Sequence, residues 1–330
     1  MLRSRWSWWA REERNRKMLT ELAANGIKKV FGPALNTASV GVALADGLTR
    51  WNESERDDLT YARYEIETQG KIAKNLRLLF LCDLHEKEFG GGNRELLEMA
   101  DAAKPDAVLI GGDMITAPRH MEDVLTQKPE TDAEKPPMIQ LGGNILSVEK
   151  TLSLCKNLAE KYPVFYAPGN HEQRIDFSGF ADALRDYGVT YLSDESAEFE
   201  NLKIHGLYIA ERYYKAFRPD PMGVTYILSR VGSPDPEKFN ILLAHSPYFT
   251  ETYAESGMDL VLSGHFHGGT VRLPGNVGLM TPQYQFFSTK VEGIRRIGRG
   301  KMIISAGLGT HSFNIRIGNK PQVVVVDLKK

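Results

Sequence analysis

Side chains of the kinds that bind metal ions stand in five short segments of the chain. The segments are Asp83-Leu84-His85, Gly111-Gly112-Asp113, Gly169-Asn170-His171-Glu172, Ala244-His245-Ser246 and Gly264-His265-Phe266-His267-Gly268. They contain five of the chain's eight histidines. Carboxylate, amide oxygen and imidazole together suit zinc, manganese or iron. A thiolate site is excluded, because the chain has only two cysteines and they form no metal-like pair.

The spacing within these segments predicts a single shared site. In extended backbone, residues two apart point to the same side, so Asp83 and His85 would face one site, as would His265 and His267. Flanking glycines allow sharp turns and the close approach of a phosphate. Taken singly, each segment has an ordinary explanation as a turn, a helix cap or a core histidine. Five such segments in order are hard to obtain by chance.

The elements around these segments predict a layered α/β protein. Each segment follows a short apolar run that is typical of a buried strand: 76–81, 107–110, 164–166, 241–243 and 260–262. Helical patterns fall at 93–103, 148–161 and 177–187, an edge strand is expected at 59–68, and 126–143 is expected to be a loop. The strand-rich second half predicts two sheets packed face to face. Because ligands bind outside the carboxyl ends of such strands, the five segments should converge on one crevice.

At these residues the chain resembles the calcineurin-like metallophosphoesterases. Their ordered pattern is Asp-x-His, Gly-Asp, Gly-Asn-His-Glu/Asp, His and Gly-His-x-His, and every element is present over about residues 76–327. The resemblance implies a four-layer α-β-β-α sandwich of two mixed sheets flanked by helices. Segments 87–90, 240–247, 271–274 and 307–310 are most similar to a subgroup of bacterial enzymes that usually carry an N-terminal membrane anchor.

The resemblance also implies two metal positions that share one ligand. One ion, manganese, zinc or iron, would be held by Asp83, His85 and His267. The other would be held by Asn170, His245 and His265. Asp113 would bridge the two positions.

The expected function is hydrolysis of a phosphodiester, a pyrophosphate or a phosphomonoester by attack of a metal-bridging hydroxide. By resemblance, His171 would donate a proton to the leaving oxygen, and Glu172 would fix the ring of His171. The alternative is a non-catalytic scaffold that holds metal and binds partners. Such a scaffold could tolerate loss of the proton donor, so the presence of His171 argues against it.

The charge balance of the chain limits which classes of binding partner are expected. The 41 basic and 42 acidic side chains nearly balance, which argues against general nucleic-acid binding and therefore against a nuclease. The expected substrate is a phosphorylated small molecule or a lipid-linked phosphate, and the oligomeric state is open.

Residues 1–55 are expected to form a helical extension, and 56–330 the phosphoesterase domain. The extension carries Trp6, Trp8 and Trp9 among arginines, which suits peripheral contact of a cytoplasmic protein with a membrane, or a helix packed on the domain.

Several further side chains have two interpretations. His120, beside Arg119, could reach a substrate phosphate or simply be solvated. His311 and Arg316 could line the rim of the crevice. Four aromatic residues could form an apolar substrate wall or belong to the core: Tyr208, Tyr213, Tyr214 and Phe217.

Overall fold

The computed structural model describes residues 37–117, 139–141, 144–146, 148–175, 179–216, 218–310 and 314–330. Some of the residues discussed above lie outside these ranges, and what was expected of them stays a prediction. They are Trp6, Trp8, Trp9, Arg119, His120, Phe217 and His311.

Helices and strands alternate along the described chain. The helices are α1 (Thr37–Arg56), α2 (Arg94–Ala103), α3 (Glu149–Ala159), α4 (Phe180–Asp186), α5 (Val224–Val231) and α6 (Thr250–Ser256). The strands of the first half are β1 (Thr60–Glu67), β2 (Leu76–Leu81), β3 (Ala107–Ile110), β4 (Ile139–Leu141), β5 (Asn144–Leu146), β6 (Val164–Tyr166) and β7 (Val189–Tyr191). The strands of the second half are β8 (Glu195–Phe199), β9 (Leu202–Gly206), β10 (Phe239–Leu243), β11 (Leu260–Ser263), β12 (Arg272–Leu273), β13 (Val277–Met280), β14 (Phe286–Ser288), β15 (Gly293–Ile297), β16 (Gly300–Ile304) and β17 (Gln322–Lys329).

Two six-stranded mixed sheets form the centre of the molecule. The first has the order β1-β17-β2-β3-β6-β7, with β2, β3, β6 and β7 parallel to one another. The second has the order β15-β16-β11-β10-β9-β8, with β16, β11, β10 and β9 parallel. The predicted edge strand is confirmed, since β1 lies at the edge of the first sheet and pairs with β17. The end of the segment 126–143, which was expected to be a loop, contains β4, and this strand pairs antiparallel with β5.

The layers follow from the alternation of side chains along each strand. Leu78 and Phe80 of β2 face the second sheet and share a buried core with Ile204 and Ile241. Leu79 of β2 points the other way, into the core beneath α2, α3 and α4. Helices α5 and α6 cover the outer face of the second sheet. The α-β-β-α sandwich predicted from the sequence is therefore confirmed.

Helix α1 is attached to the domain by its C-terminal half. It ends at Arg56, one residue beyond the predicted boundary of the extension. Leu48 packs against Ile315 and Ile317, and Asn52 is buried. None of the helices in the described part of the chain has both the length and the apolar character needed to cross a lipid bilayer.

Candidate metal centre

The carboxyl ends of the parallel strands bring the predicted site residues together. From the first sheet, β2 leads to Asp83 and His85, β3 to Asp113, and β6 to Asn170 and His171. From the second sheet, β10 leads to His245, and β11 to His265 and His267. All eight side chains are buried, at 8% exposure or less. The convergence of five segments expected from the sequence is present in the structure.

One group of three side chains has the arrangement of a metal site. The nearest ligand atoms of Asp83, His85 and His267 all lie within 4.8 Å of one another. The Nε2 atoms of His85 and His267 are 3.2 Å apart, and Nε2 of His267 is 3.5 Å from Oδ1 of Asp83. Two nitrogens bound to one tetrahedral ion at about 2.1 Å would be about 3.4 Å apart. The spacing therefore fits a single ion among these three residues.

A second group lies beside the first. The ligand atoms of Asp113, His245 and His265 also lie within 4.8 Å of one another, and Nε2 of His245 is 3.0 Å from Oδ2 of Asp113. The same Oδ2 atom is 3.9 Å from Nε2 of His85, which belongs to the first group. Among the described residues, Oδ1 of Asn170 is buried and has no hydrogen-bond partner, although Asn170 lines the same cavity as Asp113 and His265. A buried, unbonded amide oxygen fits a metal ligand.

Hydrogen bonds to backbone groups set which ring nitrogen faces the cluster. The Nδ1–H of His245 donates to the carbonyl of Gly111 over 2.7 Å, and that of His267 donates to the carbonyl of Gly309 over 3.2 Å. When these rings are neutral, the Nε2 lone pair of each faces the cluster, which is the tautomer of a metal ligand. His171 differs, because its Nδ1 accepts from the N–H of Ala117 over 2.7 Å. The ring of His171 therefore carries its proton on Nε2, 3.9 Å from Oδ2 of Asp113.

The buried carboxylates give the cluster a strong attraction for positive charge. Burial raises the pKa of Asp83 to about 6, although the neighbouring His245 acts in the opposite direction. Burial alone would lower the pKa of His245, but Asp113 and Asp83 outweigh it and raise that pKa to about 10. Burial would likewise raise the pKa of Asp113, but His245 and His171 hold it well below its usual range. Cations that enter the cluster must therefore displace protons.

The contacts of Glu172 differ from the sequence-based expectation that it fixes the ring of His171. Its Oε2 accepts from the N–H groups of Asp113 (2.8 Å) and Gly169 (2.9 Å). Its Oε1 accepts from the N–H of Met114 and the hydroxyl of Tyr166, at 2.8 and 2.7 Å. The ring of His171 is bonded by the Ala117 N–H instead. Glu172 thus anchors the backbone at Asp113 and Met114 and at Gly169, directly before Asn170.

The sequence analysis assumed extended backbone in order to bring alternate residues to one site. The backbone at the cluster is instead sharply turned. Five site residues have left-handed φ angles: Asp83 (56°), His85 (51°), Asp113 (53°), His265 (64°) and His267 (48°). For residues other than glycine this conformation is uncommon and costs about 1–3 kcal/mol each, and such residues cluster at functional sites. Alternate residues reach one site because each segment turns sharply after its strand.

Two glycines allow the Asp113 and Asn170 segments to touch. Gly112 has φ +86°, and a Cβ atom placed on it would lie 2.1 Å from the backbone nitrogen of Gly169. A Cβ on Gly169 would lie 2.2 Å from Oδ1 of Asp113. A larger residue at either position would push the two segments apart.

Sequence reasoning missed three residues that line the cavity with Asp113, Asn170 and His171. They are Arg174, Pro282 and Gln283. Tyr214, for which the sequence allowed either a substrate wall or a place in the core, also lines this cavity. Its ring contacts that of His265 edge-on, with the ring centroids 5.0 Å apart. The one signal that the sequence held for Arg174 is its position three residues after His171. The guanidinium of Arg174 donates to the carbonyl of Ala117 and pairs with Glu211.

Arg316, which was considered for the rim of the crevice, is instead fully buried behind the cluster. Its guanidinium donates to the backbone carbonyls of Ala306, Gly307, Gly309 and Asn319. Burial lowers its pKa to about 10.

Comparison with known proteins agrees with this geometry. Residues 76–269 match the family model of the calcineurin-like phosphoesterases, and this stretch contains every residue of the cluster. The chain belongs to this family. As a family member with a buried histidine–aspartate cluster that resembles a dinuclear metal site, it is a metallophosphoesterase hydrolase.

The curated relatives are bacterial. An uncharacterized metallophosphoesterase of Aquifex aeolicus is 30% identical over 67% of this chain and 84% of its own length. An uncharacterized metallophosphoesterase of Helicobacter pylori is 27% identical over 74% of this chain, but the match spans only 58% of that protein. Phosphodiesterase YaeI of Escherichia coli is 22% identical over 89% of this chain and 97% of its own length.

Proposed function

We propose that this metallophosphoesterase hydrolyses a phosphodiester at a two-metal centre. Asp83, His85 and His267 would hold one ion, while Asn170, His245 and His265 would hold the other. Asp113 would bridge the two, since its Oδ2 lies near Nε2 atoms of both groups. Two bound cations, manganese, zinc or iron, would polarise the phosphoryl oxygens and activate a water. The single observation that carries the proposal is the convergence of these seven buried ligand atoms.

The proton for the leaving oxygen would come from His171. Its Nδ1 accepts a backbone hydrogen bond, so its proton sits on Nε2, and the residue lines the same cavity as Asp113 and Asn170. As the bond to phosphorus breaks, the Nε2–H can pass its proton to the leaving alkoxide. The N–H of Ala117 at Nδ1 would stabilise the negative charge left on the ring, and solvent would return the proton before the next turnover. The phosphate would also meet Arg174, whose side chain lines the cavity beside His171. Cations at such positions stabilise the negative charge of a transferring phosphoryl group.

The test is metal-dependent turnover. Metal-stripped protein is assayed with bis-p-nitrophenyl phosphate and p-nitrophenyl phosphate after manganese, zinc or iron is added back. We expect turnover to return with metal, to favour the diester, and to vanish in Asp113→Ala. Preference for the monoester would correct the substrate class. No turnover despite two bound ions per chain would favour the non-catalytic scaffold, and no bound metal would overturn the proposal.

We further propose that the substrate carries an apolar group, as a lipid-linked phosphate does. Pro282 and Gln283 line the cavity of the cluster, and they belong to the connection between β13 and β14. The residues that follow directly are exposed aromatics: Tyr284 is 41%, Phe286 58% and Phe287 64% exposed. Exposed apolar groups that lie together on a surface often mark interaction sites. A phosphoester seated at the cluster could therefore extend its apolar part along β14.

Chain length of the substrate tests this point. The ratio of kcat/KM for p-nitrophenyl decyl phosphate over p-nitrophenyl methyl phosphate is measured in wild type and in a Phe286→Ser, Phe287→Ser double variant. We expect wild type to prefer the decyl ester and the double variant to lose the preference with unchanged turnover of the methyl ester. Ile294→Ser, another exposed apolar position at 41%, is the control and should keep the preference. An equal preference in wild type and the double variant would rule the aromatic surface out.

A further inference from the structure

We infer that the last turn of helix α1 is a positioning element for one metal position, the one proposed for Asp83, His85 and His267. This inference rests on the ligand assignment of the proposed function. The N-terminal extension was expected to be a segment separate from the phosphoesterase domain. Its final residues instead bond to Lys87, two residues after His85, and to the segment 314–319. That segment connects to His267 and Asp83 through Asn319 and Gly309.

The first connection runs through Asn52 and Arg316. Oδ1 of Asn52 accepts from the N–H of Arg316 over 2.6 Å, and its Nδ2 donates to the carbonyl of Asn314 over 3.1 Å. The guanidinium of Arg316 donates to the carbonyl of Gly309 over 2.6 Å. That carbonyl also accepts from Nδ1–H of His267, and the N–H of Gly309 donates to the carbonyl of Asp83. Asn52 thus holds, through two residues, a loop that touches two of the three ligands.

The second connection runs through Glu55 and Asn319. Oε2 of Glu55 accepts from the N–H of Asn319 over 2.9 Å. The side chain of Asn319 then donates to the carbonyl of His267 over 2.6 Å. One carboxylate of α1 is therefore a single residue away from the backbone of a proposed ligand.

The third connection reaches the segment of His85. Lys87, two residues after His85, donates to the carbonyl of Arg56 at the end of α1 and pairs with Asp57 over 2.9 Å. A cation at a helix C-terminus also interacts favourably with the helix dipole. All three ligands of this position are consequently linked to the same helix end.

The other position is held from inside the sheets. His245 is oriented by the carbonyl of Gly111, and Glu172 anchors the backbone beside Asp113 and Asn170. Perturbing α1 should therefore weaken one metal position selectively. Residues that orient metal ligands typically change metal affinity by about 10–100-fold when they are replaced.

The experiment compares manganese binding by the wild-type chain, Asn52→Ala, Glu55→Ala and Glu55→Gln. Bound metal is counted after dialysis against buffered Mn²⁺, and electron paramagnetic resonance distinguishes a coupled pair of ions from a single ion. We expect Asn52→Ala and Glu55→Ala to keep one ion, to bind the second about tenfold or more weakly, and to lose the coupled signal. Glu55→Gln keeps an acceptor oxygen and should restore pair formation. Glu53→Ala, an exposed acid on the same turn, is the matched control.

Two results would overturn the inference. One is binding of two coupled ions with wild-type affinity in both alanine variants. The other is an equal weakening of both ions, which would mean general destabilisation and not positioning. If wild type itself bound no pair of ions, the ligand assignment would fail first, and the variants would not be needed to show it.

Discussion

Replacing Glu172 by glutamine separates two roles for this residue, anchoring the Asp113 segment and fixing the ring of His171. The carboxylate accepts from two backbone N–H groups at Oε2, and from Met114, Tyr166 and more distantly Ile115 at Oε1. A glutamine side chain keeps one acceptor oxygen and places an NH₂ group at the other. In either orientation at least two buried donors lose their acceptor. At about 1.5–3 kcal/mol for each bond to a charged group, Glu172→Gln should cost about 3–6 kcal/mol.

The assay is urea unfolding of the metal-free protein, followed by circular dichroism. Tyr166→Phe removes a single bond to the same carboxylate and should cost about 1.5–3 kcal/mol. Glu98→Gln replaces an exposed acid on α2 and should stay within about 0.5 kcal/mol of wild type. The reasoning is refuted if Glu172→Gln unfolds like wild type while its turnover falls and its pH profile shifts. That combination would mean that Glu172 acts on His171.

Three further predictions concern the cluster itself. His171→Ala should lower kcat by about 10²–10⁴ with two ions still bound, and loss of the ions would show that His171 is a ligand instead. Because the raised pKa of His245, about 10, keeps this residue protonated at neutral pH, metal entry must release that proton. Affinity measured by competition with a chelator should then rise about tenfold per pH unit between pH 6 and 8, and a flat profile would contradict the assignment of His245. Gly112→Ala should unfold more easily than Gly188→Ala and should lose metal. Both glycines have left-handed φ (+86° and +83°), but only a side chain at Gly112 would clash, with the backbone of Gly169. Equal urea midpoints for the two variants would contradict the argument from close packing.

The types of the proposed ligands and the strands before them were predictable from the sequence, because both depend on local patterns. A buried strand is an apolar run, and a ligand after a strand is a polar residue beside a glycine. The contacts that hold the ligands were not predictable in this way. Glu172 reaches the N–H of Asp113, 59 residues away in the chain, and Asn52 reaches Arg316 over a separation of 264 residues. The spacing of apolar and polar residues along the sequence does not reveal contacts between such distant residues.

The left-handed backbone was missed for a related reason. Aspartate and histidine tolerate positive φ better than most residues, but nothing in Asp-x-His indicates that both residues adopt it. The conformation is imposed by contacts from elsewhere, such as the carbonyl of Gly112, which accepts from the N–H of Asp83. Arg316 was misplaced at the rim because a charged side chain is expected to be exposed. Its backbone carbonyl partners become visible only in the folded chain.

Each proposed metal position takes ligands from both sheets, and this couples metal binding to the packing of the sandwich. The first position joins Asp83 and His85, which follow β2, to His267, which follows β11. The second joins Asn170, after β6, to two histidines of the second sheet. Bound cations would therefore tie the carboxyl ends of the two sheets together. Because a ligand that binds only the folded state adds stability as RT ln(1 + [L]/Kd), metal at 100 times its Kd should stabilise the fold by about 2.7 kcal/mol for each independent site.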